Sequence, residues 1–190
     1  MMRNRTPLSL LFAASLWVAT AAYAAPPVQQ PIAAEKSPPG DIPDNQAFVA
    51  FRSPQGFSIK VPEGWARRES ADAVHFSDKY NALQVVVSAR AAAPTLASLK
   101  AGEIAALEQS PKAVRVTSAK ALALPAGAAF VVHYGSNSDP NPVTNKAIRL
   151  DSATYYLWKA GKLATLTVSA PAGADNADQW LLMARSFTWQ

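Results

Sequence analysis

The chain contains no cysteine in its 190 residues. That absence excludes a disulfide framework, a thiol nucleophile, thiolate metal sites and iron–sulfur clusters. Histidine is almost as scarce, with only His75 and His133. A zinc site takes three or four ligands, so carboxylates such as Asp72 and Asp78, the nearest in sequence, would have to complete one. Charged residues make up only 16% of the chain. Beyond the first residues, Arg67-Arg68 is the only adjacent basic pair. There is neither the dense basic face of a nucleic-acid binder nor the basic amphipathic helix of a membrane-surface binder. Glycine-rich phosphate loops are missing as well. The string nearest to a nucleophile elbow, Gly135-Ser136-Asn137-Ser138-Asp139, lacks the closing glycine. A Ser-His-Asp triad assembles in space rather than in sequence, so only the local motif is ruled out. Acidic residues are few, and several serve caps and turns, which leaves no evident carboxylate pair of the glycosidase type. No catalytic residue, metal site or cofactor is assigned.

One long apolar run is present, from Leu8 to Ala22, preceded by Arg3 and Arg5 and followed by Ala22-Tyr23-Ala24. A basic start, a short alanine-rich apolar run and a small-x-small end predict a secretory signal peptide over residues 1–24, cut before Ala25. The run is too short for a durable membrane anchor, and no cysteine exists to be lipidated. Cleavage removes two arginines and no acid, lowering the net charge from +5 to +3. The expected product is periplasmic or secreted, with no stable membrane insertion after cleavage.

Residues 25–46 carry Pro26, Pro27, Pro31, Pro38, Pro39 and Pro43 with few large apolar groups. They read as an extended, flexible linker. One domain over residues 47–190 remains. A chain of about that size buries roughly two-thirds of its unfolded surface, enough to stand on a core without staples.

Within the domain the hydrophobic period is mostly two. Ala47–Arg52 and Gly56–Val61 form a hairpin about Ser53-Pro54-Gln55-Gly56. Ala73–Ser77 places Val74 and Phe76 on one face and His75 on the other, and Leu83–Ala91 is a valine-rich strand. Thr95 caps a helix with Leu96, Leu99, Ile104 and Leu107 in its stripe, ending near Ser110-Pro111. Strands follow at Ala113–Leu124, Ala128–Gly135 and Ala147–Lys159. A two-residue loop at Ala160-Gly161 would lead into Leu163–Ala170, with Tyr155 and Leu157 on the face of Ala164 and Leu166. Asp175–Arg185 is a final helix, with acids at its start and Arg185 at its end, as the helix dipole prefers. The fold class is α+β: an antiparallel β-sheet flanked by helices in a layered sandwich.

Set in this order, several segments resemble the Mog1/PsbP-like family. They are Phe51-Arg52-Ser53-Pro54-Gln55-Gly56-Phe57-Ser58-Ile59-Lys60-Val61-Pro62-Glu63-Gly64-Trp65, the mid-chain helix, Tyr155-Tyr156-Leu157-Trp158, Ser169-Ala170-Pro171 and Ser186-Phe187-Thr188-Trp189. The likeness covers nearly all of residues 47–190, and its motifs are structural. The resemblance implies a non-enzymatic domain that binds other proteins, here a partner in the cell envelope. The lipidated cysteine of bacterial envelope members is absent.

Two exposed segments are candidates for partner binding. Trp65 with Arg67 and Arg68 follows a turn. The Ser136–Lys146 loop offers Asn137, Asp139, Asn141 and Asn145, and loops on a rigid sheet often carry recognition. Adjacent strand residues point to opposite faces, so at least one of each neighbouring pair among Tyr155, Tyr156 and Trp158 belongs to the core. The alternative reading is a periplasmic hydrolase or small-ligand binder using a pocket beside the sheet.

Overall fold

The computed structural model describes residues 28–33 and 40–190. The leader expected over residues 1–24 lies outside them. Among the described residues, no helix is long and apolar enough to cross a membrane.

Strands β1 (Phe48–Ser53) and β2 (Phe57–Pro62) pair antiparallel through the expected turn. Gly56 sits at φ 90°, which a side chain would resist, and its N–H donates to the Ser53 carbonyl at 3.1 Å. On β2, Phe57, Ile59 and Val61 are buried while Ser58 and Lys60 point away. This is the period-two pattern of a half-covered strand. Each large apolar side chain buried in this way contributes roughly 1.5–3 kcal/mol. The two-residue strand β10 (Thr188–Trp189) completes a three-stranded sheet in the order β1-β2-β10.

The second sheet has seven strands in the order β3-β4-β5-β9-β8-β7-β6. They are β3 (Ala66–Glu69), β4 (Ala73–Asp78), β5 (Asn81–Ala89), β6 (Arg115–Leu124), β7 (Gly127–Asn137), β8 (Arg149–Lys159) and β9 (Lys162–Pro171). β3 was not evident in the sequence. All four of its residues are exposed, so no buried alternation marks it, and only its pairing with β4 makes it a strand.

One face of this sheet packs on the small sheet and on helix α3 (Ala177–Ser186). Leu83, Val85, Val131, Tyr155, Leu157, Leu166 and Val168 meet Phe57, Ile59, Trp180, Met183 and Phe187 there. Phe51 and Phe76 cross edge-to-face at 5.2 Å, and Phe57 stacks on Phe187 at 5.4 Å. These offset and edge contacts are the favourable geometries for aromatic quadrupoles, and they lock the layers together.

The other face carries the mid-chain helical run: α1 (Leu96–Leu99), a π-helical turn (Lys100–Ile104) and α2 (Ala105–Glu108). Thr95 is its N-cap, as expected. Its hydroxyl accepts from the Ser98 N–H at 3.1 Å, and Ser98 returns the bond to the Thr95 N–H at 2.9 Å, a capping box. Leu99 and Ile104 bury against Val132, Tyr156 and Leu163. Helix cover on this face and the small sheet on the other explain why Tyr155 and Tyr156, neighbours pointing to opposite sides, are both buried.

The segment expected to be linker is drawn into the fold at two places. Ile42 is 4% exposed and belongs to the main core. Its N–H donates to the Asn176 side-chain oxygen at 2.7 Å, while the Asn176 amide donates to the Gly40 carbonyl at 2.8 Å. Further upstream, Gln29 N–H donates to the Pro111 carbonyl at 2.9 Å. The final helix starts at Ala177 rather than Asp175; its N-cap residue, Asn176, spends its side chain on this upstream segment and forms no side-chain cap bond.

Candidate functional site

The apolar end of the helix-covered face lies under α1 and α2; its other end is polar. Register places Tyr134 opposite Ser152, and Ser152 opposite Ser169, in one row across β7, β8 and β9. Side chains in such a row sit about 5 Å apart. The next row pairs Thr154 with Thr167, whose hydroxyls lie 3.0 Å apart, and Tyr134 reaches Thr154 at 3.4 Å. Above this hydroxyl floor opens a cleft of about 530 Å³. Leu107 and Ser110 wall it on the α2 side, Lys79 and Tyr80 on the β4–β5 turn, and Pro140 and Pro142 on the β7–β8 loop.

The β7–β8 loop is internally tied. The Asn141 side-chain oxygen accepts from Val143 and Thr144 N–H at 2.9 and 3.0 Å, and Asn141 and Asn145 close backbone bonds with Lys146 and Asn141. Asn145 takes φ 52°, the left-handed conformation that asparagine tolerates. At the crest, Val143 is 89% exposed. Asp139 leans back to Lys112 at 2.8 Å.

Of the loop residues singled out from sequence, Asp139 and Asn141 line the cleft and are accessible, and Asn145 is exposed beside it. Asn137 is different. It is 1% exposed and works inside the molecule. Its oxygen accepts from Ile32 N–H at 3.2 Å and from the Arg149 guanidinium at 3.1 Å, and its amide donates to the Gln30 carbonyl at 2.8 Å. A residue so committed is not available to a partner. Its place opposite Arg149 in the β7–β8 register and the upstream strap bury it together.

Trp65, Arg67 and Arg68 lie elsewhere. Trp65 is half-buried and packs against the main core. Arg67 lies over the Phe51 ring at 5.4 Å and pairs with Glu69 at 3.1 Å. Arg68 is exposed on β3. Strands β4, β5 and β9 separate β3 from β8, about 19 Å at ordinary strand spacing. The two candidate segments therefore do not form one surface.

His75 on β4 and His133 on β7 are separated by β5, β9 and β8, again about 19 Å. They also point to opposite faces: His75 is in register with Gln84, whereas His133 shares the side of the buried Val131. They cannot share a metal. Both imidazoles have lowered pKa values, first through desolvation, then through Arg68 for His75 and Lys120 for His133. Burial likewise raises the Tyr155 and Tyr156 phenols, the latter helped by Glu103 and Tyr134. Among the described residues, no group of three or more metal-ligating side chains is assembled.

Lys79, Tyr80, Lys112, Ser152 and Ser169 line the cleft but went unnoticed as site residues. The signal was in β9, where Thr165, Thr167 and Ser169 alternate with the buried Leu166 and Val168. Hydroxyls on every second residue mark a strand with one apolar and one polar covered face.

This architecture is the Mog1/PsbP-like α+β fold. A solution structure of cyanobacterial PsbP (CyanoP) from Synechocystis sp. PCC 6803 is similar at a TM-score of 0.57 with 16% identity, covering 76% of this chain and 94% of that one. The Saccharomyces cerevisiae Ran-binding protein Mog1p is similar at 0.51 with 9% identity, covering 76% and 96%. No protein-family model matches the chain, and no curated protein sequence does.

Proposed function

We propose that the chain is an exported, non-enzymatic accessory protein of the cell envelope that binds a protein partner at the mouth of the cleft. The observation that carries this reading is the rim. Val143 stands 89% exposed on a tied loop, and Tyr80 is 43% exposed on the β4–β5 turn that walls the same cleft. Exposed apolar and aromatic side chains on rigid supports bind at low entropic cost, since little ordering remains to be done. The fold supports the reading by analogy, since one similar structure is a Ran-binding protein. Export rests on the basic and apolar N-terminal pattern, with release to the periplasm or beyond.

The test is site-specific photo-crosslinking in the native envelope, with the reactive residue at Val143, at Tyr80, or at Leu182 on α3 as a control. One near-stoichiometric protein adduct from Val143 and Tyr80, absent from Leu182, is expected. Equal adducts from all three positions, or none, would overturn the reading. A cleft of this size also fits small ligands. That alternative would show as a bound small molecule retained in native mass spectra of the purified protein.

A further inference from the structure

The cleft floor holds two hydroxyls that open onto the cleft and bond no other group among the described residues. As whole residues Ser136 is 9% and Ser152 4% exposed, and both line the cleft with their hydroxyls open to it. The contrast is with Thr154, 3% exposed, whose hydroxyl is engaged by Tyr134 and Thr167. Ser136 lies diagonal to Ser152 in the β7–β8 register, so the two are about 7 Å apart. Hydroxyls that face an open cleft are placed to donate to an acceptor on whatever enters it.

The rim settles the charge of that visitor. Lys79, Lys112 and Lys146 line the cleft against one acid, Asp139. Asp139 is engaged by Lys112, while Lys79 and Lys146 have no acidic partner among the described residues. Hydroxyl donors beneath and ammonium groups above form the complement of a carboxylate.

We propose that the cleft seats acidic side chains presented on an extended segment of the protein partner, their carboxylates bonded by Ser136 and Ser152 and neutralised by Lys79 and Lys146. This rests on the partner-binding reading above and names what the partner must present.

The test uses the mature full chain, labelled for amide NMR, titrated with a capped peptide of alternating glutamate and glycine. Saturable shifts at Lys79, Ser136, Lys146 and Ser152 are expected, falling away as salt rises. A glutamine-for-glutamate peptide should produce none. Lys79→Ala with Lys146→Ala should weaken binding about tenfold or more, and Ser152→Ala by about tenfold, the ordinary loss for one hydrogen bond to a charged group. The lysine pair is exposed, so that variant should fold normally even if Ser152→Ala does not. Absence of shifts, or equal binding of the glutamine peptide, overturns the proposal. Citrate binding as tightly as the peptide at the same amides also overturns it, in favour of a small anion. A partner crosslinked at Val143 while the acidic peptide fails would sink only the acidic-segment inference. Peptide binding with no crosslinked partner would sink the reading beneath it.

Discussion

The Asn176 side-chain oxygen accepts the Ile42 N–H at 2.7 Å, across 134 residues of sequence. Its amide meanwhile reaches the Gly40 carbonyl at 2.8 Å and the Asn81 side chain at 3.2 Å. One buried side chain thus joins the upstream segment, the start of β5 and the start of α3. Asn137 repeats the device at residues 29–32.

Asn176→Ala would strand the Ile42 N–H, and a buried group left unpaired costs about 1–3 kcal/mol. Urea denaturation should register a loss in that range. Asp41→Ala, which removes an exposed bond to Asp175, should change stability by less than about 0.5 kcal/mol. Equal effects from the two substitutions would contradict the hub.

Asn137→Ala should release the strap. The Ile32 amide, now bonded to Asn137, should lose its protection from hydrogen exchange, and stability should fall by about 1–3 kcal/mol. Asn137→Asp keeps an oxygen for Ile32 and Arg149 but removes the donor to the Gln30 carbonyl. It should therefore preserve protection at Ile32 better than alanine does. Unchanged exchange in Asn137→Ala would show that the clip holds nothing.

Both histidines bind protons less readily in the fold than at their ordinary value of 6.5. The unfolded chain therefore takes up more protons as pH falls, and stability declines with it. Their contribution is fully present above about pH 6.5 and is lost as pH drops through that value towards the lowered folded ones. Chemical denaturation at pH 7.5 and pH 5 should show this decline, and replacing both His75 and His133 with glutamine should make the profile flatter. A steeper profile in the double variant would reverse the assigned sign.

The β8–β9 hairpin pairs Lys159 with Lys162, leaving Ala160 and Gly161 as a two-residue turn at φ 47° and 82°. Alanine is strained in that left-handed region, where asparagine is favoured. Ala160→Asn should raise stability by about 0.5–1 kcal/mol, and Ala160→Val should lower it, since a β-branched side chain resists positive φ. A destabilised asparagine variant would argue against this turn geometry.

Trp65→Ala and Arg68→Ala should leave crosslinking at Val143 intact, because β3 lies about 19 Å from β8 across the intervening strands. Loss of the adduct in a folded Arg68→Ala protein would return β3 to the binding surface.

Much of the architecture was written locally. Alternation in Phe57-Ser58-Ile59-Lys60-Val61, the Thr95 cap and the Ala160-Gly161 turn each depend on residues within a few positions of one another, and each appears as read. The turn carries the consequence expected of it: Tyr155 meets Leu166 and Leu157 meets Ala164. The site was half legible. Polar residues flagged the β7–β8 loop as a recognition element, but the loop supplies only one wall of the cleft.

What the sequence by itself determined was the longer elements, because backbone conformation and side-chain alternation answer to near neighbours. Tertiary structure alone decided the duties of Asn137 and Asn176, whose partners in the upstream segment lie more than a hundred residues away. It also decided that both faces of β8 are covered and that β3 exists through its pairing with β4. The cleft is the same kind of product. Lys79, Ser136, Lys146 and Ser152 come from a turn, two strands and a loop, and only the packing of layers brings their hydroxyls and ammonium groups to one opening.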